Sequence, residues 1–103
     1  MPQWVVIARD GRDAAALERR MKARPAHFER LPGMVDRGEL RVGGAMLGDD
    51  GGMIGSVALV EFPDRAALDA WLAEEPYMTG DVWRDVEIIP FRIAVPDTMA
   101  PRG

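Results

Sequence analysis

The sequence predicts an α+β domain of ferredoxin-like type, with elements in the order β-α-β-β-α-β. Three observations predict it. Apolar, β-branched runs at residues 4–8, 40–46, 56–62 and 85–94 have the length and composition of strands. Two further segments carry apolar residues at helical spacing. No linker, repeat or low-complexity block divides the 103 residues, a length suited to one domain. The expected unit is residues 1–95, a four-stranded antiparallel sheet with both helices on one face. Residues 96–103 are expected to form a flexible C-terminal tail.

Each element has its own signal. The run Trp4-Val5-Val6-Ile7-Ala8 ends at the Asp10-Gly11 turn and reads as a buried first strand. Asp13 precedes Ala14-Ala15-Ala16-Leu17 and offers a capping oxygen to the first helix. Leu17, Met21, Phe28, Leu31 and Val35 form a helical stripe, read as the buried face. Pro25 predicts a kink or two abutting helices, and Gly38 a stop. Leu40–Met46 is a second strand containing the Gly43-Gly44 step. A flexible connection over residues 47–55 leads to a third strand, Ser56–Phe62, in a hairpin with the second. Asp64 caps a second helix whose buried face holds Ala67, Leu68, Trp71 and Leu72, and Glu75-Pro76 ends it. Pro90 in the last strand predicts a bulge or an edge. The first and third strands are apolar at successive positions, so both sheet faces need cover. A second copy of the chain packed on the open face would supply it, giving a homodimer of barrel-like packing.

Composition narrows the function classes. There is no cysteine, hence no disulfide, thiolate metal site or cysteine nucleophile. Met1-Pro2-Gln3-Trp4 lacks the features of a signal peptide, and a cytoplasmic location is expected. No apolar run approaches the ~20 residues of a membrane span. The net charge of −4 argues against nucleic acid as a partner. A lone histidine is too few donors for a metal site, and the glycines of residues 43–55 form no phosphate loop. No metal and no cofactor are expected.

The candidate for chemistry is that lone histidine, His27. On a continuous helix Arg20, Arg24 and His27 lie on one face, beside the apolar stripe. A neutral imidazole there can accept a proton as a general base. A carboxylate would orient it, and Asp10, at the hand-over from first strand to helix, is the leading candidate. Glu75 and Tyr77, after the second helix, can reach the same end of the sheet. Ser56 opens the third strand.

The motif Leu17-Glu18-Arg19-Arg20, continued by Arg24-Pro25-Ala26-His27-Phe28-Glu29-Arg30-Leu31, resembles the central motif of the YciI-like (YCII-related) family. The similarity continues through Gly38-Glu39-Leu40, Gly43-Gly44-Ala45-Met46, Gly55-Ser56, Glu75-Pro76-Tyr77 near Gly80, and Val86 to Phe91. The resemblance implies a dimeric ferredoxin-like fold with a pocket around a histidine–aspartate pair, here His27 and Asp10. Glu75 stands where the family usually has aspartate. A dehydrochlorinase of chlorinated hydroxyhydroquinones resembles this family, which sets a precedent for proton-transfer or elimination chemistry. The reading is then a cofactor-independent lyase or isomerase acting on a small anionic molecule. His27 and Asp10 would be catalytic; Arg20, Arg24, Tyr77, Ser56 and Glu75 would bind the substrate. The alternatives are a non-catalytic module binding a small metabolite, and a dimerisation domain.

Overall fold

The computed structural model describes residues 1–95, and the expected tail at 96–103 lies outside the described residues. The elements are β1 (Gln3–Asp10), α1 (Ala16–Asp36), β2 (Leu40–Leu47), β3 (Met53–Glu61), α2 (Arg65–Glu74), α3 (Pro76–Thr79) and β4 (Trp83–Phe91). The sheet runs β2-β3-β1-β4 with every neighbouring pair antiparallel. That is the ferredoxin-like arrangement, with the two strands that read as apolar at successive positions, β1 and β3, at the centre of the sheet.

The register decides which residues meet the helices. Trp4, Val6, Ala8 and Asp10 of β1 are buried, while the residues between them are less so. Across the ladder Trp4 pairs with Val60, Val6 with Ala58 and Ala8 with Ser56, so these share the helix side. On this side Trp4, Val6, Ala8 and Val60 join Met34 of α1, Leu68 and Trp71 of α2, and Tyr77 of α3 in one core. The opposite face carries Val5, Ile7, Val57, Leu59, Ile89 and Phe91 in the same register. No element among the described residues covers it.

Helix α1 departs from expectation in two ways. It is one helix through both Pro25 and Pro32. Each proline removes an N–H that would bond the carbonyl four residues earlier. Those carbonyls belong to Met21 and Phe28, both exposed residues, so water can take the place of the lost donors. The helix is also turned relative to its apolar stripe. Leu17, Met21, Phe28 and Val35 are 47–57% exposed, whereas Arg20 and Met34 are buried. Residues 20, 27 and 34 recur at seven-residue spacing and define the inward face. Polar contacts at Arg20 and His27, described below, take positions that the periodicity assigned to apolar side chains.

Other boundaries shift for local reasons. Ala15, with no side-chain cap, precedes α1, because the Asp13 carboxylate is taken by Arg19 at 2.7 Å. Asp64 caps α2, accepting from the Ala67 N–H at 2.8 Å. β3 begins at Met53, so the connection from β2 is a tight turn in which Gly51 adopts a positive φ of 84°. Pro90 pairs in register with Trp4 on the edge strand, and the irregularity in that ladder lies instead between Arg9 and Asp10. None of the helices among the described residues is long and apolar enough to cross a membrane.

Candidate functional site

The inward face of α1, the helix side of β2 and β3, and the α2–α3 corner line a partly open cavity of about 220 Å³. Gly43 and Ala45 of β2 and Ala58 of β3 give it a low floor, since none carries a side chain beyond a methyl group. Phe28, Leu31, Met34 and Trp71 supply apolar walls. The polar groups that border it are Arg20, Arg24, His27, Ser56 and the aromatic pair Tyr77–Trp83.

His27 sits two helical turns beyond Arg20. Its Nδ1 hydrogen-bonds Glu75 Oε1. The Glu75 side chain has no exposed surface and is met from two more directions: the Tyr77 N–H at 3.3 Å and the Arg30 guanidinium at 3.4 Å. Local sequence explains its position. Glu75 precedes Pro76, the first residue of the short helix α3, and its carboxylate caps that helix. The His27 ring stacks on Tyr77, 4.1 Å between centroids and 18° between planes. Trp83 stands edge-on to it at 6.3 Å. With Nδ1 donating to the carboxylate, Nε2 is left as the basic nitrogen of a ring that lines the cavity.

Asp10 is engaged elsewhere. Both of its oxygens lie 3.0 Å from one terminal nitrogen of Arg20, and the other terminal nitrogen donates to Ser56 Oγ at 2.8 Å. Trp83 Nε1 donates to the same oxygen at 3.2 Å. The expected pairing of Asp10 with His27 is therefore replaced by two pairs, Asp10 with Arg20 and Glu75 with His27. The reason is distance along the helix: seven residues separate Arg20 from His27, or ~10 Å at 1.5 Å per residue. The end of β1 meets the first turns of α1, and the α2–α3 corner meets the next. Burial pushes the Asp10 carboxyl up from its usual range, against the pull of Arg20. Burial likewise raises the Tyr77 phenol, with Arg20 and Arg24 opposing.

Arg24 borders the cavity from the exposed side, its guanidinium 4.4 Å above the Phe28 ring. Among the described residues it makes no ion pair, unlike Arg20. Two buried donors in the same walls, Arg20 Nε and Trp71 Nε1, have no acceptor among the described residues. The structure thus brings Arg20, Arg24, His27, Ser56, Glu75 and Tyr77 to one place, with Asp10 behind Arg20. Sequence reasoning missed Arg30 and the role of Trp83. Arg30 follows His27 by three residues and so shares its helix face, a signal that was present. Trp83 carries no periodic signal, lying at the start of an edge strand. Among the described residues, no cluster of three or more potential metal ligands occurs.

The family model described as the YCII-related domain matches residues 3–92, nearly the whole described chain. The chain belongs to the YCII-related domain family. Protein YciI of Escherichia coli O6:H1 is 35% identical over 95 residues, which is 86% of this chain and 95% of that protein. Among solved structures, the 5-chloro-2-hydroxyhydroquinone dehydrochlorinase TftG of Burkholderia phenoliruptrix superposes with a TM-score of 0.76 at 19% identity, over 87% of this chain and 93% of that one. It was solved in complex with 2,5-dihydroxybenzoquinone. A dimeric ferredoxin-like protein of unknown function from Jannaschia gives a TM-score of 0.55 at 15% identity, over 90% of this chain and all of that one. At these identities the two structures speak to the fold of this YCII-related domain.

Proposed function

We propose that this YCII-related domain is a small proton-transfer enzyme of lyase or isomerase type, working without a cofactor on a compact, flat anion. The observation that carries the reading is the His27–Glu75 pair on the wall of a partly open, largely apolar cavity. His27 Nε2 acts as general base. Glu75 fixes the tautomer and orientation of the ring and balances the charge that arrives with the proton. Arg24, which has no carboxylate partner among the described residues, takes the anionic group of the substrate at the cavity mouth. The charge of Arg20 is already met by Asp10, so Asp10 serves the site through Arg20 rather than through His27. Tyr77 and Trp83 hold the imidazole and present aromatic surface to a planar ligand. Abstraction of a proton from a hydroxyl or carbon acid leaves its electron pair on a conjugated oxygen, or passes it on to expel a leaving group. The dehydrochlorinase of the same fold and its quinone ligand make chlorinated hydroxyhydroquinones the first compounds to try.

The test is turnover of 5-chloro-2-hydroxyhydroquinone and of a panel of small enolisable acids, followed by chloride release and by solvent deuterium incorporation. His27→Ala is expected to lose on the order of 10²–10⁴-fold in rate. Undiminished turnover in that variant would remove His27 from the mechanism. The donor-rich walls favour a second reading, in which the pocket binds a small anion without converting it. Saturable binding across the panel with no product from any compound would decide for that reading.

We infer that the functional unit is a homodimer joined through the open sheet face. Its support is the apolar register of Val5, Ile7, Val57, Leu59, Ile89 and Phe91 on a face that no helix among the described residues covers. The dimeric neighbour of the same fold adds to it.

A further inference from the structure

We propose that Ser56 is a specificity-determining donor: its hydroxyl proton is held for a carbonyl or enolate oxygen of the ligand. The argument is an account of one oxygen's hydrogen bonds. A serine hydroxyl has two lone pairs and one proton. At Ser56 both lone pairs are occupied, by the Arg20 guanidinium at 2.8 Å and by the Trp83 indole N–H at 3.2 Å. Among the described residues the hydroxyl donates to no acceptor. The residue is 7% exposed and borders the cavity, so little of its surface is left for bulk water. A buried polar proton without a partner is uncommon, and one on a cavity wall is placed to donate to an acceptor on the occupant.

The neighbours make this assignment one-directional. Arg20 is itself locked by Asp10, both of whose oxygens lie 3.0 Å from it. It cannot turn to accept a proton, since a guanidinium accepts nothing. The indole is donor-only as well. With two donors converging on Oγ, one of them cationic, the hydroxyl is polarised toward giving its proton in a hydrogen bond. The same arrangement disfavours Ser56 as a nucleophile, because its lone pairs are engaged and, among the described residues, no base is hydrogen-bonded to it. The Asp10–Arg20 ion pair is then a positioning device for this hydroxyl. A ligand must bring an acceptor oxygen to Ser56, which selects conjugated ketones, quinoid carbonyls and enolates over hydroxyl-free hydrocarbons. The inference rests on the cavity being the ligand site, as proposed above, but not on His27 acting as a base.

The experiment uses tropone, a flat ring with one carbonyl oxygen and no exchangeable proton, and cycloheptatriene, a seven-membered ring without the oxygen. Each is titrated into the full chain by NMR, and the tropone carbonyl band is followed by infrared spectroscopy. The wild type is expected to prefer tropone, with the bound carbonyl band moved to lower frequency. Ser56→Ala should weaken tropone by about five- to thirtyfold, the loss of one hydrogen bond, and leave cycloheptatriene unchanged. Ser56→Thr, which keeps the hydroxyl, should restore both the preference and the band shift. Equal weakening of both probes in Ser56→Ala, with no recovery in Ser56→Thr, would reduce Ser56 to a brace for Arg20 and Trp83 and overturn the proposal. An identical carbonyl band in wild type and Ser56→Ala would do the same. If neither probe binds the wild type, the cavity reading falls with it. Tropone has no proton to lose, so a failure of His27 catalysis leaves these outcomes intact.

Discussion

Glu75 is the residue on which the site depends most. A carboxylate with no exposed surface is tolerated only when its charge is met by neighbours, and here His27, Arg30 and the Tyr77 N–H meet it. Truncating it to alanine removes the helix α3 cap and leaves the Arg30 guanidinium and the His27 ring, both partly exposed, to be met by water. The expected cost is about 1–3 kcal/mol by denaturant unfolding, short of the figure for a wholly buried pair. Glu75→Gln keeps the amide oxygen for the Tyr77 N–H but removes the charge behind His27. It should therefore cost less stability than Glu75→Ala while lowering turnover. Equal turnover in wild type and Glu75→Gln would show that the charge is not used. Tyr77, the single tyrosine of the chain, offers a direct reading of the same corner. Burial raises its phenol above the ordinary 10.0. The unfolded chain then loses this proton first, so the contribution is fully present below pH ~10 and fades as pH rises toward the folded value. Near-ultraviolet titration of phenolate absorbance should show a midpoint above that of free tyrosine, and a midpoint at the free value would contradict the burial.

At the scale of elements, the short helix α3 sets the geometry of the pair, and Gly80 sets α3. A Cβ at Gly80 would lie 2.8 Å from the Pro76 carbonyl oxygen and 3.2 Å from Ala23 Cβ on α1. Neither neighbour is the end of a flexible side chain. Gly80→Ala should thus push α3 from α1, destabilise by about 1–3 kcal/mol, and loosen the stacking of His27 on Tyr77. A chemical-shift change at His27 as large as that at Thr79 would report the displacement, and a silent His27 would refute the coupling. The same elements show what could be read in advance. β1 and the Asp64 cap were legible because their causes are local: a β-branched run, and a carboxylate three residues from the N–H it accepts. α3 was not, because four residues are too few for a period to register. The inward face of α1 was misread because its apolar stripe is the stronger pattern. What turns the helix is a pair of polar contacts, Arg20 with Asp10 and His27 with Glu75, spanning 10 and 48 residues of sequence, and periodicity does not carry partners that far apart. The start of β3 was hidden by Gly55, which ordinarily weakens a strand. Here a Cβ would come within 2.4 Å of the Ala8 carbonyl oxygen, so the ladder needs a glycine at that position.

For the whole molecule the open question is what covers the second face of the sheet. Among the described residues, two short helices and one long one shield a single face, and the other shows Val42 and Phe91 with about half or more of their surface in water. Charged pairs, Arg9 with Glu87 and Arg41 with Glu61, lie around its apolar centre. An apolar middle with a polar rim is the anatomy of a protein interface, and a stable one buries on the order of 800 Å² per partner. A four-stranded sheet packed on its own copy at the usual ~10 Å spacing can supply that. The proposed dimer predicts a light-scattering mass twice the 11.4 kDa of the chain, and an unfolding temperature that rises with protein concentration. Leu59 is the natural position at which to test it. It lies mid-strand on the open face, opposite Val5 and Val42, and its side chain takes no part in the cavity on the other side. Leu59→Glu should yield a folded monomer with unchanged far-ultraviolet dichroism, because a carboxylate on that face is solvated in the monomer and desolvated in the dimer. Its unfolding temperature should then become independent of concentration. A wild-type chain that is a monodisperse monomer over the same range would sink the dimer and leave the apolar face in need of another occupant.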